Sequence, residues 1–282
     1  MPISLAYSVD ADDAFMFHAL TTGAVDARGL SFTHERGDTA WLNALAQAGE
    51  TDVVAISAGA YPGVADKYLL LPHGASVGRG FGPVVVSKCP MHLADLAGRP
   101  VAVPGLSMTA FLVLRLMQPE VVPVVVPIVP FQAVFDALDR QEVDAALLIH
   151  EGRLLYEQRG YLQVAELGQW WHAETGLPLP LGVNVIRRAL GHDTVALVSQ
   201  VLREAIAYAL DHRQDVISAI ASERRGDAAL EKAALLDRYL GMYANDDTRT
   251  MSDDVRRAID ELFARAAAGG LLPHGGVVEW AP

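Results

Sequence analysis

Strand-length apolar runs alternate with stretches of helical periodicity over the first two-thirds of the chain, and this alternation predicts an α/β protein. "ISLAYS" reads as a strand and "DADDAFMFHALTTG" as a helix, with Asp10 at its N-cap and Gly23 near its end. "DVVAIS" is a second strand running into the short helix "AGAYPGVADKY", and "GPVVVSK" is a third. "RPVAVPG" leads into the helix "SMTAFLVLRLM"; "VPVVVPIV", the helix "FQAVFDALDRQ" and the strand "DAALLIH" keep the rhythm. After "PLPLGVNVIRR" the periodicity is helical from Asp193 to about Gly269, broken by a turn at Asn245 to Thr250. The order predicts two lobes on one chain: residues 1–88 with 186–282, and residues 89–185. The crossings are expected near Val85–Lys88 and Leu181–Val185.

Composition narrows the partners. Hydrophobic residues make up 51% of the 282-residue chain and charged residues 20%, which is globular. A formal net charge of -12 argues against a nucleic-acid backbone or an anionic membrane as the main partner. The most apolar run, "VVPVVVPIVPF", is short and interrupted by prolines, so no segment is expected to span a bilayer. The N-terminus has neither a basic start nor an apolar core before a cleavage site, and the single Cys89 cannot form an internal disulfide; a cytoplasmic protein is expected. Oligomeric state is not written in the sequence.

Ligands of such folds sit in the crevice at the carboxyl ends of strands and between lobes, so the strand ends are where chemistry is expected. "VAVPGLSMTAF" is a strand, a Pro-Gly turn and a helix beginning near Ser107. The free N–H groups and the helix dipole there form an anion site, with the hydroxyls of Ser107 and Thr109 as extra donors; the plainer reading is that Ser107 caps the helix. Ser57 ends "DVVAIS" in the same way, and two such termini from opposite lobes would clamp a small acid. "GRGFGP" precedes a strand rather than a helix, so it is no dinucleotide fingerprint, and Arg79 within it reads as a solvated charge. The nine histidines show no His-x-x-x-His spacing and there is no Cys-x-x-Cys, so no metal centre is expected. "QWWHAETG" reads as lobe packing or as a stacking platform.

His150 remains. It ends the apolar run of "VDAALLIHEGRLLY", at the crevice and facing an anion site, where a neutral imidazole suits proton transfer near neutral pH. A structural histidine held by hydrogen bonds is the other reading. Glu151 is expected to face solvent, because neighbours on an extended strand point to opposite sides.

Four segments, "GRGFGPVVV", "VAVPGLSMTAF", "LLIHEGRLLYEQRGY" and "LGQWWHAETGLPLPLG", resemble in that order segments of the 1,4-dihydroxy-6-naphthoate synthase family, of the futalosine route of menaquinone biosynthesis. The likeness runs from the first strand to at least "NVIRR". It implies a two-lobed, type II periplasmic-binding-protein fold in a cytoplasmic lyase. That lyase would convert cyclic dehypoxanthinyl futalosine, an aryl carboxylate, to 1,4-dihydroxy-6-naphthoate with release of a sugar-derived fragment. It also implies His150 as base, substrate contacts at Ser57, Thr109 and Ala110, and no organic cofactor or metal. Where the resemblance has a "CPND" stretch this chain has "DADD" at Asp10 to Asp13; Asp13 matches the family aspartate and is expected to contact substrate, and the other three positions differ. Rival readings are chorismate dehydratase of the same pathway, which shares the fold but lacks the strand-end histidine, and a non-catalytic cytosolic binding protein for a small aromatic acid. A Ser107-dependent hydrolase ranks last, since "GLSMT" lacks the second glycine of a nucleophile elbow.

Overall fold

The computed structural model describes residues 1–128, 130, 132–222, 233–272 and 277–282, with the side chains of residues 151 and 233 left aside. Eleven strands are described: β1 (Pro2–Ser8), β2 (Ser31–Gly37), β3 (Val53–Ser57), β4 (Tyr68–Leu70), β5 (Ser76–Gly78), β6 (Val84–Ser87), β7 (Pro100–Val103), β8 (Val122–Val125), β9 (Ala145–Leu148), β10 (Leu162–Glu166) and β11 (Leu179–Arg187). Between and after them come the helices α1 (Ala11–Thr21), α2 (Thr39–Ala48), α3 (Thr109–Met117), α4 (Gln132–Asp139), α5 (Leu167–Thr175), α6 (His192–Asp211), α7 (Arg213–Ser222), α8 (Ala233–Tyr243), α9 (Asp246–Arg249) and α10 (Asp253–Ala268).

The strands form two sheets, one per lobe. The first has the order β2-β1-β3-β11-β4, with β5 also paired to β11; the second runs β10-β6-β9-β7-β8. β1 pairs in parallel with β2 and β3, and β11 runs antiparallel to β3, β4 and β5. Interior strands are buried on both faces, which is why "AALL" of β9 and "VVVS" of β6 read as continuous apolar runs instead of alternating. The apolar core that includes Val85, Ala146 and Val103 extends through Ile56 and Val185 of the other sheet, so the two lobes share packing.

β6 pairs in the second sheet, and β11 enters the first at Leu179. The chain makes its first crossing between sheets at residues 79–83 and returns between β10, which ends at Glu166, and β11; Val85–Ser87 and Leu181–Val185 lie inside strands. Gly168 shows why the first crossing needs glycine on its neighbour: a Cβ there would stand 2.1 Å from the Phe81 carbonyl carbon.

Local expectations changed in several places. "AGAYPG" closes only a 3-10 turn, because Pro62 lies inside it. α3 starts at Thr109 with Met108 as N-cap, two residues beyond Ser107. The helical tail breaks at His212 between α6 and α7, and Asn245 caps the short α9 where a turn was expected. The stretch 223–232 of that tail, and the Phe131 start of "FQAVFDALDRQ", lie outside the described residues. Arg79 is no free surface charge: it donates to Asp247 at 2.7 Å and to Asp254 at 2.8 Å. Trp171 is fully buried and donates from Nε1 to the Pro178 carbonyl, which makes "QWWHAETG" packing. Among the described residues no helix is long and apolar enough to cross a membrane.

Candidate active site

A cavity of about 740 Å³, counted to its open mouth, lies between the sheets, and four strand ends reach it. β1 delivers Ser8 and the start of α1, β3 delivers Ser57, β7 leads to the start of α3, and β9 leads to Ile149 and His150. The apolar part of its wall includes Leu42, Ile56, Met108, Leu181 and Val183.

One wall is acidic. Asp10 is the N-cap of α1 and Asp12 and Asp13 occupy its first turn, where the helix dipole favours negative charge. All three are buried. The Ser8 amide donates to Asp13 Oδ2 at 2.6 Å, while Asp12 accepts from the Ser76 hydroxyl at 2.6 Å and the Tyr239 hydroxyl at 3.3 Å. Burial, followed by the neighbouring carboxylates, raises Asp12 above the usual carboxylate range and Asp13 well above it, with the nearby His150 pulling both the other way.

His150 meets this wall. Its Nδ1 lies 2.8 Å from Asp10 Oδ2, an oxygen that also accepts from the Ser8 hydroxyl. The backbone at His150 has φ +50°, the left-handed region, where a side chain costs roughly 1–3 kcal/mol and is retained when its surroundings fix it. β9 itself ends at Leu148, and His150 opens a 3-10 turn that aims the ring at α1. The Glu151 side chain lies outside the described residues, so its expected solvent-facing role is not addressed by the geometry.

The facing wall is the start of α3. Thr109 and Ala110 both line the cavity at the first two helical positions, where backbone N–H groups have no intrahelical acceptor. The Thr109 hydroxyl, expected to donate to an acid, donates instead to the Leu181 carbonyl at 2.8 Å and accepts from the Gly59 amide at 2.9 Å. Thr109 thus ties the second lobe to the first, with its hydroxyl already engaged. The Ser57 hydroxyl points to the Met108 thioether at 3.4 Å, a weak acceptor that a ligand oxygen can replace.

Ser107 does not join the site. It is exposed and absent from the cavity wall, and it binds Asn43, whose Nδ2 donates to the Ser107 hydroxyl at 3.0 Å and to its carbonyl at 3.2 Å. The two-sided helical clamp is likewise reduced to one helix, since Ser57 precedes only a single 3-10 turn. Of the six expected positions, Ser57, Thr109, Ala110, His150 and Asp13 come together and Ser107 stays apart.

Several residues here escaped the sequence reading. Asn43 is buried in α2 and its Oδ1 accepts from the Ser57 amide at 3.0 Å; an amide inside the apolar "TAWLNALAQA" was the available signal. Tyr239 and Tyr243 reach the cavity from α8, in a tail read as packing, and burial pushes the Tyr243 phenol upward. Asn184 donates to the Gly74 carbonyl at 3.2 Å and brings a buried Oδ1 that accepts no hydrogen bond within the described protein. Asp10, Asp12 and His150 bring ligand atoms within 4.8 Å of one another, a grouping that contiguous spacing rules cannot find. Distance alone would admit a cation there. The Asp10 and Asp12 carboxylates are already engaged by Ser8, His150, Ser76 and Tyr239, and no metal is assigned to them.

Residues 3–268 match the protein-family model described as menaquinone biosynthesis. The chain is 35% identical to 1,4-dihydroxy-6-naphthoate synthase of Streptomyces coelicolor, over 96% of its own length and 95% of the relative's. It is 34% identical to the Thermus thermophilus synthase of the same name, over 95% of both chains. A crystal structure from Archaeoglobus fulgidus matches with a TM-score of 0.89 at 40% identity, covering 96% of this chain and 98% of that one. The alkanesulfonate-binding protein of Xanthomonas axonopodis pv. citri, bound to MOPS, matches with a TM-score of 0.70 at 15% identity, covering 98% and 96%. A Candida albicans protein with the generic periplasmic binding protein fold matches at 0.73 and 13%, covering 100% and 98%. These last two likenesses concern the fold, which is periplasmic-binding-protein-like. With the family model spanning nearly all of the chain and both named synthases above 30% identity, the chain belongs to the menaquinone-biosynthesis family that includes the 1,4-dihydroxy-6-naphthoate synthases.

Proposed function

We propose that this menaquinone-pathway enzyme is a carbon–carbon lyase that converts cyclic dehypoxanthinyl futalosine to 1,4-dihydroxy-6-naphthoate in the cytoplasm, with His150 as general base and no organic cofactor or metal. The observation that carries the reading is one crevice holding both His150 and the start of α3, in a chain similar to two synthases of that name.

The two walls orient the substrate. Its aryl carboxylate is attracted to the first turn of α3, opposite the Asp10, Asp12 and Asp13 wall, so the acid lies against the Thr109 and Ala110 amides, with Ser57 as an added donor. That pose turns the sugar-derived end toward His150. The imidazole takes a proton adjacent to a carbonyl and that C–H electron pair moves into the ring as it becomes aromatic; the neighbouring carbon–carbon bond breaks with its electron pair going to the sugar-derived carbon, which takes the proton back from the His150 imidazolium as the fragment departs. The apolar walls exclude water from the intermediate.

The test is to incubate purified protein with cyclic dehypoxanthinyl futalosine and, separately, with chorismate, and to analyse both by mass spectrometry. The naphthoate is expected from the first alone. Turnover of chorismate alone would move the chain to the dehydratase, and turnover of neither would make it a binding protein.

A further inference from the structure

We propose that Asp10 is a positioning residue for proton transfer: its carboxylate holds His150 as the Nδ1–H tautomer and so presents Nε2 as the basic nitrogen. The inference rests on His150 being the base, and it goes beyond it by naming the group that makes it one.

His150 Nδ1 and Asp10 Oδ2 are 2.8 Å apart, and an ionised carboxylate can only accept, so the proton of a neutral imidazole resides on Nδ1. The Asp10 side chain is 3% exposed, which keeps water from competing for this bond. Asp10 is fixed in turn by the Ser8 hydroxyl on the same oxygen and by its place at the head of α1. Although Asp10 is the N-cap residue, its side chain does not cap α1; it is turned to Ser8 and His150 instead. His150 holds a left-handed backbone, which points the ring along this line.

A carboxylate at this distance supplies a full charge to steady the imidazolium that forms when Nε2 takes the substrate proton. In that step the substrate C–H bond breaks, its electron pair moves toward the adjacent carbonyl, and the proton passes from Nε2 to the sugar-derived carbon that has taken the electron pair of the broken carbon–carbon bond.

Other charges bear on the ring. Asp12 and Asp13 face it from α1, Tyr239 and Tyr243 line the same cavity from α8, and Arg153, in the 3-10 turn that His150 opens, is paired with Glu166 at 3.0 Å. Asp12 and Asp13 remain in an Asp10 variant, so that variant isolates the contacting carboxylate.

Two measurements test the proposal. In the intact enzyme, long-range nitrogen–proton NMR of the imidazoles, with the His150 signal assigned by its loss in His150→Gln, should show the proton on Nδ1; an Nε2–H tautomer overturns the proposal. In Asp10→Asn, kcat should fall by roughly a hundredfold or more with KM within about threefold, and the acid limb of kcat/KM should move to lower pH because an opposite charge has been removed. Wild-type kcat, or a lowered kcat with the limb unmoved, also overturns it. Failure of the base reading looks different: His150→Ala would then stay active. An inactive His150→Ala beside a wild-type-like Asp10→Asn removes Asp10 alone.

Discussion

At the scale of single residues, His150 was legible because an apolar strand ending in an imidazole is a conspicuous break in pattern, and the structure puts it at the cavity. Its contact with Asp10 was not, because 140 positions of chain separate two residues that only the closing of two sheets brings to 2.8 Å. Ser107 misled for a physical reason: it follows a Pro-Gly turn and so resembles a cap, while the helix begins at Thr109 and Asn43 claims the Ser107 oxygens. The acidic wall makes a prediction of its own. Unfolded, Asp12 titrates near 3.8; folded, burial holds it higher. Its stabilising contribution is therefore complete below pH 3.8 and is lost as pH rises through the folded value. Asp12→Asn should raise the melting temperature more at pH 7 than at pH 4. Calorimetry finding the same shift at both pH values would mean that Asp12 is not held protonated by its burial.

At the scale of elements, the buried strands were readable and the edge strand was not. β2, "SFTHERG", lies at the rim of its sheet with its residues part-exposed, so it lacks the apolar run that marked β3 and β9. α2 was overlooked although its signals are present: Asp38 accepts from the Trp41 amide at 2.8 Å and Gly49 closes the helix in the left-handed region. Within "GRGFGP" the backbone at Phe81 and Gly82 lies close against Gly168 of α5, and a Cβ on Gly82 would stand 3.1 Å from the Gly168 nitrogen. A Cβ on Gly168 would lie 2.1 Å and 2.2 Å from the carbon and oxygen of the Phe81 carbonyl, backbone atoms that cannot step aside. Gly168→Ala should cost at least about 3 kcal/mol in urea unfolding, as overpacking against backbone does. Gly63→Ala, whose Cβ would meet nothing within 4 Å, is the control and should stay within about 1 kcal/mol of the parent. Equal stabilities would mean that the chain at Phe81 moves freely, and the close approach would then have no energetic weight.

At the scale of the whole molecule, alternation of apolar runs with helices gave the class and the two-lobed fold, while the points at which the chain passes between sheets were not legible, because a strand's sheet is decided by its pairing partners and not by its own residues. β6 reads the same whichever sheet receives it. The lobes are joined across the crevice by Thr109, whose hydroxyl satisfies both the Leu181 carbonyl and the Gly59 amide. Thr109→Val leaves these two buried groups unpaired, at about 1–3 kcal/mol each, and should lower the melting temperature and expand the ligand-free scattering profile, with product restoring compaction. A profile identical to the parent's would show that this bridge does not hold the lobes together. All of this serves one claim, that the crevice between the lobes is a reaction site whose base is His150. The most direct measurement is kcat on cyclic dehypoxanthinyl futalosine for folded His150→Ala, with product affinity measured by calorimetry on the same sample. Turnover should fall by ~10²–10⁴-fold while product binds nearly as well as to the parent, since the α3 anchor is untouched. A folded variant that turns over within a few-fold of the parent would contradict the claim.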